Sequence, residues 1–369
     1  MTAANTKGCN QLRYYIALGA PPIRTPADGT EPYIRPEVGF NPSWFYKYCD
    51  VDFSEKWHLD PKYRLQCHET MAATIRKKFP GRNIGGVNDN QPPDLLTGLY
   101  GASIVMGFFG HSLIYAPDRW PQHHGNYLTN AQAAALEPPD LENDPFFQDV
   151  LRQIDEIEKL TGSARGFLNW QGIMNLAFRL RGEKIFLDIC DDSAFAAHIF
   201  DCIADTLIAG KKLIYKRQQK AGLDYDIANL GNCTVNMIGP QAYAEHVFKY
   251  DMKVRNQFRD CAIHNCAWSV TPYMDTYAKV PNLGYLDMGL DSDFVKAKRL
   301  FPNTRRNILY TSVDLLNKTD DQIKNDFERI AREFAPCDIG LPDIDMEVPD
   351  ERVIFAMNLC EELTKKNTP

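Results

Sequence analysis

Two residues in the C-terminal half, His264 and Cys266, have the types and the spacing of a pair of metal ligands. They follow Cys261-Ala-Ile, which predicts a short strand, and residues i and i+2 of a strand point to the same face. A neutral imidazole and a thiolate are ligands that Zn²⁺ prefers, at about 2.0–2.3 Å. His264 and Cys266 can therefore both face one pocket, where their side chains offer two ligands of the type that zinc prefers.

Other polar side chains stand where predicted strands end, which is the side on which barrel enzymes carry their active sites. Asn169 lies at the end of one such strand and Gln171 follows it, and both could bind polar groups of a substrate. Cys233 follows another and could be a further ligand or a pocket residue. Asp287 ends a third, where it could orient a metal-bound histidine, act as an acid, or simply cap the next helix. We assign Asp287, Asn169 and His264 as the candidate catalytic residues.

The elements that must position these residues alternate along the chain. Short runs with strand character are separated by amphipathic helical stretches, and the strand-like runs are Asn83–Val87, Ser112–Tyr115, Gly166–Trp170, Ile227–Leu230, Cys261–His264, Leu283–Asp287, Asn307–Thr311 and Asp338–Leu341. About eight strands alternating with helices predict an α/β protein, a (β/α)8 TIM barrel. We expect the barrel to span residues 81–369 as the catalytic domain. An aromatic-rich N-terminal extension, residues 1–80, is expected to cover it.

The composition restricts the class of protein. The chain has 369 residues, and its net charge of −7 argues against a nucleic-acid-binding surface, which is usually basic. The longest apolar run, about Ala102–Phe109, is far shorter than the ~20 residues that span a bilayer. The N-terminus lacks the apolar core of a secretory signal, and the ten dispersed cysteines are expected to be reduced. These features predict a cytoplasmic protein.

His264-x-Cys266, followed seventy residues later by Cys337, resembles a known zinc motif. It is the H-x-C-x(~70)-C motif of methyltransferases in the uroporphyrinogen decarboxylase superfamily, which exchange methyl groups with a corrinoid protein. Three further segments occur in that family's order: Leu283–Gly289, Pro336–Ile339 and Val348–Arg352. The resemblance covers roughly residues 80–360. It implies a zinc ion held by His264, Cys266 and Cys337, with the fourth position open for substrate.

The resemblance also implies the reaction. Zinc would act as a Lewis acid on a heteroatom that gains or loses a methyl group, and the cobalamin would be supplied by a separate corrinoid protein. The favoured reaction is O-demethylation of an aryl methyl ether such as a guaiacol-type compound, whose flat ring suits aromatic walls. The expected substrate-binding residues are Trp44, Trp57, His58, Trp120, Trp170, Gln171, Cys233 and Trp268.

Three alternatives stay open. The first is a methylcobalamin:thiol methyltransferase, in which zinc would lower the pKa of an acceptor thiol. The second is a metal-free lyase like uroporphyrinogen decarboxylase, although the Arg-rich N-terminal segment of that branch has no counterpart in Gly39–His58. The third is a barrel that binds a corrinoid protein or a small ligand without catalysis. The expected partners are a corrinoid protein, a small methyl donor or acceptor and a second copy in a homodimer, with no nucleic acid and no membrane.

Overall fold

The computed structural model describes residues 32–82, 84–86 and 90–367. Its strands are β1 (Ile34–Phe40), β2 (Ser112–Ala116), β3 (Arg119–His124), β4 (Ile227–Gly231), β5 (Asp260–His264), β6 (Leu283–Met288), β7 (Arg305–Leu309) and β8 (Cys337–Ile344). Its α-helices are α1 (Pro42–Cys49), α2 (Glu55–Leu59), α3 (Pro61–Lys78), α4 (Ile104–Phe108), α5 (Asn130–Ala134), α6 (Pro145–Thr161), α7 (Ile173–Arg181), α8 (Lys184–Asp191), α9 (Ser193–Lys220), α10 (Gly239–Ala242), α11 (Phe248–Arg255), α12 (Met274–Tyr277), α13 (Phe294–Leu300), α14 (Ser312–Asn317), α15 (Asp320–Phe334) and α16 (Asp350–Asn367). Short 3₁₀ segments cover Ile84–Gly86, Gly101–Ser103, Thr234–Met237 and Thr271–Tyr273, and a π-helical turn covers Tyr243–Val247.

Six strands form one parallel sheet in the order β1-β8-β7-β6-β5-β4. All residues of β6 and β7 are buried, as expected for strands that are covered on both faces. Helices follow most of these strands, so each strand enters the sheet in the same direction. The predicted α/β class is confirmed.

Five of the predicted strands, from Ile227–Leu230 onward, are present in this sheet. Three earlier ones are not. Ser112–Tyr115 belongs to an antiparallel hairpin of β2 and β3, and Gly166–Trp170 forms no strand. Within the predicted strand Asn83–Val87, Ile84–Gly86 make a 3₁₀ turn that contains Gly85 in the left-handed region at φ 69°, and the two ends lie outside the described residues.

The first strand of the sheet comes from a segment that the sequence assigned to the N-terminal extension. Ile34 of β1 pairs with Cys337 of β8, and the pairing continues to Val38 and Leu341. The predicted boundary at residue 80 therefore separates β1 from the sheet to which it belongs. In the described part of the chain, β1 and β4 are the two edges of the sheet, so the closed eight-stranded barrel stays a prediction.

The aromatic segment after β1 packs into the hydrophobic core. The side chain of Asn41 accepts a hydrogen bond from the Trp44 N–H, which starts α1 and turns Trp44 inward. The rings of Phe40 and Trp44 lie 4.1 Å apart, and those of Phe53 and Trp57 lie 4.8 Å apart. All four side chains are fully buried, so this segment contributes core volume.

Helix α9 is long and apolar enough to cross a membrane by length and composition. Half of its most apolar window is buried against the rest of the fold. Buried core helices of globular proteins show the same properties.

Candidate metal site and cavity

Three potential ligands meet at the carboxyl-terminal edge of the sheet. Cys233 follows β4, His264 ends β5 and Cys266 lies two residues beyond it. Gly231 pairs with His264, so the ends of β4 and β5 lie side by side. The ligand atoms of Cys233, His264 and Cys266 all lie within 4.8 Å of one another, and all three residues are partly exposed.

This donor set is compatible with zinc. Ligand bonds of about 2.0–2.3 Å in a tetrahedron place neighbouring ligand atoms about 3.5–3.8 Å apart, so a small contraction of the cluster would suffice. Two thiols and one imidazole are typical zinc ligands, and three protein ligands leave a fourth position for a substrate atom. Partial exposure of all three residues gives such an atom access to the cluster.

Asp287 on β6 holds this cluster in place. Its Oδ2 lies 2.7 Å from Nδ1 of His264, which leaves Nε2 of the ring for a metal. Its Oδ1 accepts hydrogen bonds from the backbone N–H groups of Asn265 at 2.8 Å and Cys266 at 3.0 Å. The hydroxyl of Tyr285 donates to Oδ2 at 3.2 Å. Asp287 therefore fixes both the ring of one candidate ligand and the backbone of the other.

The ionisable groups of the cluster influence one another. Burial lowers the pKa of His264, but the Asp287 carboxylate outweighs it and holds this pKa well above its ordinary value. A hydrogen bond between the two thiols lowers the pKa of Cys233 and raises that of Cys266. In the metal-free cluster Cys233 is thus the thiol that ionises first.

Cys266 reaches the cluster through a turn. The expectation that strand alternation aims both His264 and Cys266 at one pocket is corrected, because β5 ends at His264 and Cys266 has a left-handed backbone with φ 64°. Gln171 and Asp343, which line the same cavity, also have positive φ values of 57° and 50°. Non-glycine residues in this region are uncommon and cluster at functional sites.

Cys337 is not part of this cluster. It is the first residue of β8, whereas Pro342 and Asp343 are the residues of β8 that line the cavity. Five residues of extended strand separate Cys337 from Pro342, which is about 17 Å. Burial raises the pKa of Cys337, and its thiol interacts electrostatically with that of Cys360 on α16. The structure therefore groups His264 and Cys266 with Cys233, which the sequence offered as a further ligand or a substrate-binding residue, and not with the predicted ligand Cys337.

A cavity of about 700 Å³ opens beside the cluster. The predicted catalytic residues Asn169, His264 and Asp287 all line it. The predicted substrate-binding residues Trp120 and Gln171 line it as well. The side-chain amide of Gln171 donates to Oδ1 of Asn169 at 2.6 Å, so these two polar groups form one patch of the wall.

The other predicted substrate-binding aromatics do not line the cavity. Trp44, Trp57 and Trp170 are core residues with at most 1% exposure. His58 is fully buried, and its Nδ1 accepts from the Tyr100 N–H at 3.1 Å. Burial and the charge of Arg64 lower the pKa of His58 to about 3, so it is neutral. Trp268 is 55% exposed and lies outside the cavity lining.

Sequence reasoning missed three residues of this region. Arg179 lines the cavity, and Asn175, four residues earlier on the same helix, contacts Gln171 and the backbone of Thr234. Glu37 of β1 lines the cavity too. The spacing of Asn175 and Arg179 places them on one face of a helix. Two polar residues on an otherwise apolar face could have indicated from the sequence that this face lines a polar site.

Searches against protein families and against curated protein sequences find no match for this chain. Among solved structures, a methyltransferase from Methanosarcina mazei has a similar fold, with a TM-score of 0.62. The similarity covers 90% of this chain and 94% of that chain, at 15% sequence identity. At this identity the comparison establishes a shared α/β architecture.

Proposed function

We propose that this chain is a zinc-dependent methyltransferase that moves a methyl group between a small substrate and the cobalamin of a separate corrinoid protein. The observation that carries the proposal is the cluster of Cys233, His264 and Cys266 beside an open cavity. The H-x-C resemblance and the fold shared with the methyltransferase from Methanosarcina mazei support the same reaction class. We further propose that the protein is cytoplasmic.

A zinc ion at the cluster would act as a Lewis acid on the substrate heteroatom. The chain's own residues set the geometry for this role. Asp287 keeps the proton of His264 on Nδ1 and holds the Cys266 backbone, so both candidate ligands are oriented before a metal binds. The amides of Asn169 and Gln171 offer hydrogen bonds to a polar substrate group in the cavity.

The favoured substrate is an aryl methyl ether, and the favoured reaction is its O-demethylation. The methyl C–O bond breaks, the aryl oxygen keeps the bonding electrons, and the methyl group passes to the Co(I) corrinoid of the partner. A phenoxide is a poor leaving group, so electrostatic stabilisation of this oxygen lowers the barrier. Trp120 and Tyr285 on the cavity wall provide aromatic surface for a flat ring.

Transfer in the opposite direction, to a thiol, uses the same cluster and is the second candidate. Zinc held by Cys233, His264 and Cys266 would lower the pKa of a substrate thiol, and the resulting thiolate would accept the methyl group from methylcobalamin. The partly exposed cluster has room for either heteroatom, and the cavity wall contains both apolar and polar residues.

The test is single-turnover methyl transfer with the purified zinc-loaded protein and a Co(I) corrinoid protein. We expect a methoxyarene to yield the phenol together with methylated cobalamin, detected by absorbance. His264→Ala should abolish the reaction while the protein still binds its corrinoid partner. No transfer from any methoxyarene, combined with methylation of a thiol by methylcobalamin, would favour the second candidate. Absence of both reactions would reject the proposal.

A further inference from the structure

A polar face of helix α7 lines the cavity next to the metal cluster. Arg179, in the last turn of this helix, belongs to the cavity wall together with His264 and Cys266. Asn175 lies one turn earlier on the same face and donates to Oε1 of Gln171 at 3.0 Å. This contact holds the helix face towards the interior of the cavity.

The guanidinium of Arg179 has no carboxylate partner within the described part of the chain. Its hydrogen bond there is to Nδ1 of His123, at 3.3 Å. Burial lowers the pKa of Arg179, and the thiolate of Cys233 is the nearby charge that raises it. Arg181, two residues later, shows the usual arrangement for a buried arginine, with Asp188 at 2.7 Å.

His123 does not neutralise this cation. Burial, and then the charge of Arg179, lower the pKa of His123, so the imidazole is neutral and accepts from the guanidinium. A partly buried guanidinium that contacts no carboxylate is only partly compensated by the thiolate of Cys233, and a carboxylate supplied by a ligand would reduce the remaining penalty. Arg179 and His123 together therefore form a subsite that favours an anionic group.

Three carboxylates line the cavity, those of Glu37, Asp287 and Asp343, and none of them forms an ion pair with Arg179. Asp287 is engaged with His264, and Oε2 of Glu37 accepts from Asn307 at 3.0 Å. The three carboxylates lie on strands β1, β6 and β8, whereas Arg179 and His123 come from α7 and β3. Within the described part of the chain, the cavity wall thus carries a guanidinium that no carboxylate contacts, in addition to the carboxylates beside the metal cluster.

We propose that Arg179, with His123 beside it, binds the carboxylate of the substrate. Guanidinium and carboxylate match in a bidentate geometry, and such pairs combine affinity with orientation. The methyl ether part of the substrate rests on the proposed function, and the carboxylate follows from Arg179. The substrate is then an aryl methyl ether that carries a carboxylate. Its ether oxygen faces the cluster while its carboxylate faces Arg179, and a cavity of about 700 Å³ accommodates both.

The test compares the binding of 3-methoxybenzoate with that of its neutral analogue 3-methoxybenzamide by calorimetry. The metal-free protein is titrated first, so that a carboxylate cannot bind to zinc. We expect wild type to prefer the carboxylate by about 10- to 100-fold, the range of a charged hydrogen bond. Arg179→Gln should remove this preference with little change for the amide. Arg179→Lys should keep part of it.

Arg119→Gln is the matched control, because Arg119 lies on the neighbouring hairpin, is largely exposed and pairs with Asp118. It removes the same charge outside the cavity and should leave the preference unchanged. Circular dichroism verifies that each variant is folded. A carboxylate preference that persists in Arg179→Gln, or that appears only in the zinc-loaded protein, would overturn the proposal. A preference found without methyl transfer would instead reject the proposed function alone.

The thiol acid 3-mercaptopropionate provides a second arm for the same subsite. It carries the same anionic group on an aliphatic thiol. Tighter binding of this compound than of 3-methoxybenzoate to wild type would overturn the aryl ether as substrate class. Weaker binding supports it.

Discussion

At the carboxyl-terminal edge of β4–β6 and at the start of β8, the sheet carries a cysteine near a buried aspartate. Beside Cys266, Asp287 accepts from two backbone N–H groups and a histidine ring. Beside Cys337, Asp338 is contacted by the guanidinium groups of two arginines, Arg35 at 2.9 Å and Arg305 at 3.3 Å. The first aspartate orients groups that reach an open cavity, whereas the second is enclosed by cations.

The difference follows from the direction of the strands. At the end of β5 the chain leaves the sheet in a turn, so Cys266 is partly exposed and can move towards a metal. At the start of β8 the chain enters the sheet, and the thiol of Cys337 lies near Cys360 of the covering helix α16. The same residue types therefore give a candidate metal site at one end and a structural contact at the other.

The largest expected effect is on stability, and it tests the role of Asp338 at the start of β8. Asp338→Asn removes the buried charge that the guanidinium groups of Arg305, which is buried, and Arg35, which is partly exposed, both contact, and we expect the free energy of unfolding to fall by about 3–5 kcal/mol. Asp260, at the start of β5, is the matched control because its arginine partner, Arg259, is largely exposed. Asp260→Asn should cost about 1 kcal/mol or less. Urea unfolding measures both, and equal losses would show that Asp338 is no more important for stability than the exposed ion pair.

The second prediction concerns a buried carboxylate behind the metal cluster. Asp251 accepts from Asn232 at 3.0 Å and Tyr243 at 2.7 Å, and burial raises its pKa from 3.8 to about 6. Between these two pH values the folded protein binds more protons than the unfolded chain. Stability therefore decreases as pH rises through this range, by an amount on the order of 3 kcal/mol.

Asp251→Asn removes this titration while its amide oxygen can still accept both hydrogen bonds. We expect the variant to lack this component of the decrease between pH 4 and 6, measured by urea unfolding at several pH values. The exposed Asp224→Asn serves as the control and should follow wild type. An unchanged pH profile in Asp251→Asn would show that this carboxylate does not hold a proton in the folded state.

The third prediction compares the cysteines directly. Cys266→Ser and Cys233→Ser should each lower zinc affinity by more than about 100-fold, beyond the range expected for residues that only support a ligand. Cys337→Ser should retain one equivalent of zinc. Metal analysis after dialysis against a weak chelator measures all three variants and wild type. Loss of zinc from Cys337→Ser, with retention in Cys233→Ser, would restore the ligand set expected from the sequence motif.

Much of the fold could be predicted from the sequence because buried parallel strands are continuous apolar runs. Leu283–Asp287 and Cys261–His264 were recognisable in this way, and both are strands. β1 was missed because its sequence, IRPEVGF, mixes charged residues and a proline with apolar ones. Its place in the sheet depends on pairing with β8, some 300 residues later, and local patterns contain no information about such a contact.

The candidate site was partly predictable for the same reason. His264, Cys266 and Asp287 stand at the ends of recognisable strands, so their convergence follows from parallel topology. To predict the third ligand, one has to know at which end of β8 Cys337 lies. A spacing of seventy residues between cysteines does not specify this. The aromatic residues were misassigned because the residue type alone does not distinguish a tryptophan in the core, such as Trp44, from one in a cavity wall.

The smallest expected effect tests whether Asp287 supports the cluster. In Asp287→Asn the amide oxygen can still accept from the backbone of Asn265 and Cys266, but its N–H faces Nδ1 of His264. The ring proton then moves to Nε2, which cannot bind a metal in that form. We expect zinc affinity to fall by about 10- to 100-fold with little change in stability. Tyr285→Phe is the matched control, since it removes one hydrogen bond to Asp287 and keeps the carboxylate. Competition with a chromogenic chelator measures both variants, and an affinity within about twofold of wild type in Asp287→Asn would show that the carboxylate does not select the ring nitrogen.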